Sequence, residues 1–70
     1  MTHRFVVEHA FSAIDPISGR ERKLGPGDTL VCNIGQTGGT IIAEIDGLPF
    51  LVERSQMESC CTIKYESGPL

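Results

Sequence analysis

The chain has 70 residues, which is enough for one domain, and a domain of this size buries only roughly 60 % of the surface that its unfolded chain exposes. Its apolar fraction of 40 % and charged fraction of 21 % exclude a disordered tail and are typical of a folded domain. The net charge of −3 provides no general attraction to nucleic-acid phosphates or anionic membranes, so it disfavours both as partners.

No segment of the sequence predicts export or membrane insertion. The apolar stretch near the N-terminus is interrupted by Glu8 and His9, whereas a secretory signal needs roughly 7 to 15 apolar residues. No run approaches the roughly 20 apolar residues of a transmembrane helix. We therefore expect a cytoplasmic protein with no membrane partner. The odd count of 3 cysteines argues against a disulfide framework.

Closely spaced glycine and proline residues divide the chain into short β-branched segments, which is typical of an all-β domain. Within these segments apolar residues alternate with polar ones, as expected for strands with one buried face. The chain is predicted to be a single domain over 1–70, ordered over about 4–65. The predicted strands are 4–13, 29–34, 40–45, 48–53 and 60–65.

The connections between the predicted strands differ in character. Pro16 ends the first strand, and residues 15–27 form a long polar loop. Asp46-Gly47 predicts a tight type I′ turn, since both central positions of that turn need positive φ. Residues 54–59 are polar around Met57 and predict a single helical turn, and residues 67–70 read as a frayed tail.

Alternation within the strands predicts the buried positions. In each strand one set of alternate residues is apolar and should form the core, while the other set faces outward. The predicted core is Phe5, Val7, Phe11, Leu30, Cys32, Ile41, Ala43, Ile45, Phe50, Val52, Cys61 and Ile63.

The order of elements, together with the stretch Leu24-Gly25-Pro26-Gly27-Asp28, resembles an SH3-like small β-barrel. The resemblance implies a five-stranded barrel with one short helical turn before the last strand. It does not carry over binding of proline-rich peptides, because the chain has no Trp and Tyr65 is its single Tyr. Type II dihydrofolate reductases are similarly short SH3-like chains that assemble around a central active pore, so an enzyme formed only at an oligomer centre is one alternative.

Residues with catalytic or metal-binding chemistry lack the spacing that such sites need. The histidines and cysteines form no close-spaced ligand pairs, so we expect no metal and no other cofactor. Cys60 or Cys61 with His9 lacks a third, orienting group, so we expect no enzyme activity from a single chain. The glycine-rich segment 35–40 has neither the Lys nor the following helix of a phosphate-binding loop, and it reads as a connection between strands.

Two features predict an interaction surface. Arg20, Arg22 and Lys23 form a short basic run on the long loop, interrupted by Glu21. Four apolar residues are predicted on the outer face, which favours a protein interface: Val6, Val31, Ile42 and Leu51. We therefore expect a non-enzymatic protein-interaction module that self-associates or binds another protein, with a nucleic-acid-binding regulator as the weaker alternative. The predicted surface comprises Arg20, Arg22, Lys23, Val31 and Ile42.

Overall fold

The computed structural model describes residues 2–33 and 35–64, and it confirms a mostly β domain. Seven strands and one short helix are formed. In chain order these are β1 (Thr2–Val7), β2 (Phe11–Ile14), β3 (Glu21–Leu24), β4 (Thr29–Asn33), β5 (Thr40–Ile45), β6 (Leu48–Glu53), α1 (Arg54–Cys60) and β7 (Cys61–Lys64).

All seven strands belong to one antiparallel sheet with the order β3-β2-β6-β5-β4-β1-β7. β1 and β2 are four strand positions apart in this order, yet they are consecutive along the chain. In a flat sheet that separation is about 19 Å, whereas the chain from Val7 to Phe11 spans at most roughly 14 Å. The sheet therefore curls into a half-barrel, with the core on its inner face.

The prediction of one first strand over 4–13 is wrong, because the strand is broken after Val7. The backbone N–H groups of Glu8 and His9 both donate to the carbonyl of Cys60, at 2.7 and 3.1 Å. Two donors on one acceptor interrupt the regular ladder, as in a bulge. The chain is redirected there and continues as β2 on the other side of the sheet.

The prediction of an unbroken loop over 15–27 is also wrong. The Asp15 carboxylate accepts the N–H groups of Ile17 and Ser18, at 2.8 and 3.3 Å, and turns the chain back on itself. β3 then pairs with β2, and Leu24 is buried opposite Phe11. With the divided first strand, this hairpin gives seven strands instead of the predicted five.

The central hairpin is confirmed as predicted, with β5 and β6 over 40–45 and 48–53. Asp46 and Gly47 adopt φ of 54° and 81°, the positive values that a type I′ turn needs. The predicted helical turn is confirmed as α1, which extends to Cys60, so the last strand starts one residue later than expected.

The predicted core is confirmed apart from its last two members. Cys61 is half-buried and Ile63 is 47 % exposed, because β7 is the edge strand of the sheet and is covered less completely. Three buried residues were not predicted: Ala13, Leu24 and Met57. The described core is Phe5, Val7, Phe11, Ala13, Leu24, Leu30, Cys32, Ile41, Ala43, Ile45, Phe50, Val52 and Met57.

Some predictions fall outside the described residues. These are the end of the second strand at Ile34, the end of the last strand at Tyr65, and the tail over 67–70. Over 2–33 and 35–64, no helix is long and apolar enough to cross a membrane.

Candidate interaction surface

Three apolar side chains form a row on the outer face of the sheet, across β2, β6 and β5. In the register of the sheet, Ile14 is the partner of Leu51, and Leu51 is in turn the partner of Ile42. Facing Cβ atoms in antiparallel strands are about 4.5–5.5 Å apart, so the three side chains are neighbours. Ile14 is 37 % exposed, Ile42 is 53 % exposed and Leu51 is half-buried. We call this row the outer strip.

The alternation of side chains along each strand explains why the outer strip faces outward. In β5 the residues flanking Ile42 are Ile41 and Ala43, which are both buried, so Ile42 must face outward. Sequence reasoning identified Ile42 and Leu51 as outward apolar residues for this reason. It missed Ile14, because the first strand was predicted to end at Ala13. The signal that could have revealed Ile14 was the Asp15-Pro16 turn directly after it.

A groove of about 370 Å³ lies beside the outer strip, between β4 and β5. It brings together Val31 and Ile42, two residues that the sequence placed on the interaction surface. They are diagonal neighbours, since Val31 is directly opposite Glu44. The groove is therefore apolar in part and has a carboxylate at its margin. Its lining residues are Thr2, Val31, Cys32, Asn33, Gln36, Ile42 and Glu44.

The side chain of Gln36 fixes one wall of the groove. In the backbone pairing of β4 with β5, Val31 lies opposite Glu44 and Cys32 lies opposite Ala43. Beyond it, the Ile42 N–H donates to Gln36 Oε1 at 2.9 Å, and Gln36 Nε2 donates to the Ile42 carbonyl at 2.9 Å. Gln36 Nε2 also donates to the Asn33 carbonyl at 2.9 Å. The side-chain amide thus replaces a backbone peptide group between the two strands.

Arg54, the first residue of α1, holds the glycine-rich loop next to this groove. Its backbone N–H donates to the Gly39 carbonyl at 2.8 Å, and its Nε donates to the Gly38 carbonyl at 3.0 Å. Its Nη2 donates to the carbonyl of Gln36. The loop thus turns carbonyl oxygens toward a cation, whereas a phosphate-binding loop turns N–H groups toward an anion.

The three basic residues predicted for the interaction surface do not form one patch. Arg22 faces the inner side, where its Nη2 donates to Asp46 Oδ2 at 2.6 Å and its guanidinium carbon lies 5.6 Å from the centre of the Phe50 ring. Lys23 is exposed on the opposite face of β3, and Arg20 lies in the turn before it. Strand alternation separates Arg22 from Lys23, and the charge of Arg22 is already paired.

Burial makes the thiols of Cys32 and Cys61 weaker acids than a free cysteine. The buried Cys32 thiol donates to Met57 Sδ at 3.6 Å, and burial raises its pKa. Burial, with smaller contributions from Cys60, Cys32 and Glu8, raises the pKa of Cys61 to about 11. A thiol with so high a pKa stays protonated at neutral pH and is a poor nucleophile. Within 2–33 and 35–64, no three or more His, Cys, Asp or Glu side chains are grouped to hold a metal ion.

Comparison of the chain with protein-family models, with curated proteins and with solved structures found no match. The geometry of this surface is therefore the basis for inferring a function. Its main features are an exposed apolar row across β2, β6 and β5 and an adjoining groove whose wall is fixed by Gln36 and Arg54.

Proposed function

We propose that this chain is a non-enzymatic protein-interaction module that self-associates, with a second copy packing against the outer strip. The observation that carries the proposal is the exposed row of Ile14, Leu51 and Ile42 in cross-strand register. Covering apolar surface releases about 25 cal/mol for each Å² removed from water. A small domain with a limited core of its own gains stability from such a contact.

The order of residues in the outer strip supports a second copy as the occupant. An isologous dimer needs a patch that is complementary to itself under two-fold rotation. The strip has isoleucine at both ends and leucine in the middle, so a two-fold rotation about its centre places apolar side chains on apolar side chains. A strip with one apolar and one charged end would lack this property.

We further propose that the curled sheet is an SH3-like barrel with an elaborated first loop. Two observations support this. β1 pairs with β7, so the first and last strands are neighbours, and α1 directly precedes the last strand. The hairpin of β2 and β3 then occupies the position of the long first loop, which explains two additional strands without a change of fold class.

Nucleic-acid binding has less support than protein binding. That alternative needs Arg20, Arg22 and Lys23 to act together on one surface. Arg22 instead contacts Asp46 and Phe50 on the inner side, and the chain carries a net charge of −3. Phosphate binding gains its affinity from clustered, unpaired cations, which this arrangement does not supply.

Replacing Ile42 by threonine tests the proposal. Threonine keeps the β-branched shape that suits a strand but removes apolar contact from both halves of a symmetric interface. We expect Ile42→Thr to raise the dissociation constant of self-association by about tenfold, equivalent to ~1.4 kcal/mol. Sedimentation velocity over a concentration series measures the constant, and native mass spectrometry gives the number of copies.

Ile17→Thr is the matched control. Ile17 is 94 % exposed and lies in the turn between β2 and β3, outside the outer strip, so the same substitution should leave association unchanged. Equal weakening by both variants would show that the strip has no special role. A monomeric wild-type chain throughout the concentration series would rule out self-association.

A further inference from the structure

The edge strand β3 exposes one side of its backbone. Among the described strands it pairs with β2 alone, as the terminal strand of the sheet. The Asp15 N–H donates to the Arg20 carbonyl at 2.8 Å, which fixes the phase of this antiparallel ladder. Because bonded and non-bonded positions alternate, Arg22 turns its backbone groups toward β2. The backbone N–H and carbonyl groups of Glu21 and Lys23 therefore point away from the sheet.

The same two residues carry opposite charges on one face. Glu21 and Lys23 are two positions apart in a strand, so both side chains lie on the outer face, and both are exposed. Within the described part of the chain neither side chain takes part in an ion pair. The open edge thus presents outward-pointing backbone groups together with one free acid and one free base.

We propose that β3 pairs antiparallel with β3 of a second copy, with a two-fold axis beside Arg22. In this register Glu21 lies opposite Lys23 of the other copy, and Lys23 lies opposite its Glu21. All four are positions whose backbone groups point outward, so the register forms backbone hydrogen bonds at both pairs. It also places unlike charges directly across from each other, at both ends of the contact.

Alternative registers would also form backbone hydrogen bonds between the two strands, but they would place like charges opposite each other. Centring the contact on Glu21 places two carboxylates opposite each other, and centring it on Lys23 places two ammonium groups opposite each other. Like charges directly opposite across strands are destabilising. At the favoured centre the two Arg22 residues meet on the inner side, where each guanidinium is already paired with Asp46.

This inference rests on the proposed function in requiring self-association, but it assigns a separate surface. The outer strip lies on the face of β2, β6 and β5, whereas β3 offers its edge. An edge contact extends the sheet from one copy into the next and leaves the outer strips of both copies uncovered. Glu21 lies directly opposite Ile14 of the outer strip, whereas Lys23 lies opposite Ser12. Lys23→Glu and the preference for heterodimers therefore distinguish the edge contact from the outer strip.

Charge reversal at the edge provides the test. Glu21→Lys opposes lysine to lysine in a homodimer, and Lys23→Glu opposes glutamate to glutamate. We expect each variant alone to raise the dissociation constant by about tenfold, since two attractive pairs become repulsive. Sedimentation velocity over a concentration series measures this for the full chain. Glu58→Lys, an equal charge change at an exposed position of α1, should leave association unchanged.

Mixing the two variants provides the decisive result. A heterodimer of Glu21→Lys with Lys23→Glu restores an unlike pair at both ends of the contact. Native mass spectrometry of the mixture, in which a different tag mass labels each variant, should show heterodimers in excess of both homodimers. The double variant carrying both reversals on one chain should recover wild-type association.

The outcomes also separate the two surfaces. A preference for heterodimers together with normal association of Ile42→Thr would support the edge contact and would overturn the proposal that the outer strip is the interface. Charge variants that associate like the wild type, with no heterodimer preference, would overturn the edge contact. In that case a weakened Ile42→Thr variant would still support the outer strip. A wild-type chain that stays monomeric throughout the concentration series would overturn the edge contact as well.

Discussion

At the scale of single residues, Gln36 has a structural role that its sequence position does not reveal. Its side-chain amide donates and accepts at Ile42 and also donates to Asn33, so one side chain bridges two separated strands. The glycine-rich context of 35–40 predicts only a connection, because nothing in the local sequence specifies where this amide points. The groove beside the outer strip depends on that orientation.

Replacing Gln36 by alanine is expected to lower the free energy of unfolding by about 0.5–1.5 kcal/mol, because the N–H and carbonyl of Ile42 lose their hydrogen bonds to the side-chain amide. Urea denaturation measures the change. Gln56→Ala is the matched control, since Gln56 is exposed on α1 and its loss should have little effect. Equal stability of both variants would contradict a bridging role for Gln36.

Cys61 makes the stability of the domain depend on pH in the alkaline range. Its pKa is 9.0 in an unperturbed thiol and about 11 in the folded chain, mainly because of burial. Between these values the unfolded chain releases the proton while the folded chain retains it. The contribution of the Cys61 thiol to the free energy of unfolding is therefore fully present below pH 9 and is lost as the pH rises toward 11.

Cys61→Ala should flatten the decrease of the free energy of unfolding across that window, as measured by urea denaturation below, within and above it. Cys60→Ala should retain most of the decrease, because burial contributes more to the raised pKa than the neighbouring thiol does. A variant Cys61→Ala with the full alkaline decrease would assign the effect to other groups.

At the scale of elements, Met57 is the side chain by which α1 is most deeply buried in the core, and the half-buried Cys60 packs beside that core. A helix of seven residues is not stable by itself in water, so packing must hold it in place. Met57 is the buried residue of α1, 2 % exposed, and its Sδ accepts a hydrogen bond from the Cys32 thiol, with the two sulfurs 3.6 Å apart. Through this side chain the helix contributes to the core on the inner face of the half-barrel.

Met57→Ala should therefore destabilise the domain by about 2–5 kcal/mol, through lost burial and the cavity that remains. Met57→Leu keeps the volume and should cost less than about 1.5 kcal/mol. Thermal and urea unfolding of the two variants provide the measurement. A small effect of the alanine variant would mean that α1 is attached by other contacts.

The elements also show which parts of a sequence specify structure locally. β5 and β6 were predicted to the residue because the Asp46-Gly47 turn and the alternation on both sides of it agree. The break between β1 and β2 was missed, since it depends on the carbonyl of Cys60, a residue far away along the chain. β3 was missed because edge strands carry charged residues and look like loops.

At the scale of the whole molecule, the structure brings together only part of the predicted interaction surface. Val31 and Ile42 border one groove, as alternation within single strands indicates. Arg20, Arg22 and Lys23 lie within four positions of a predicted loop, and only the hairpin places Arg22 on the side opposite to Lys23. Their separation follows from long-range strand pairing, which a local reading of the sequence does not contain.

The pairing of β1 with β7 determines how the domain responds to a pulling force. Arg4 near the start of β1 is the partner of Lys64 at the end of β7, so the two strands begin and end at the same side of the sheet. Tension applied at Thr2 and Lys64 acts across this ladder and opens its hydrogen bonds one after another, starting at that side. A ladder that is pulled parallel to its strands must break all its hydrogen bonds at once, so it withstands a much larger force. We therefore expect a low unfolding force when Thr2 and Lys64 are drawn apart, with β7 separating from β1 first.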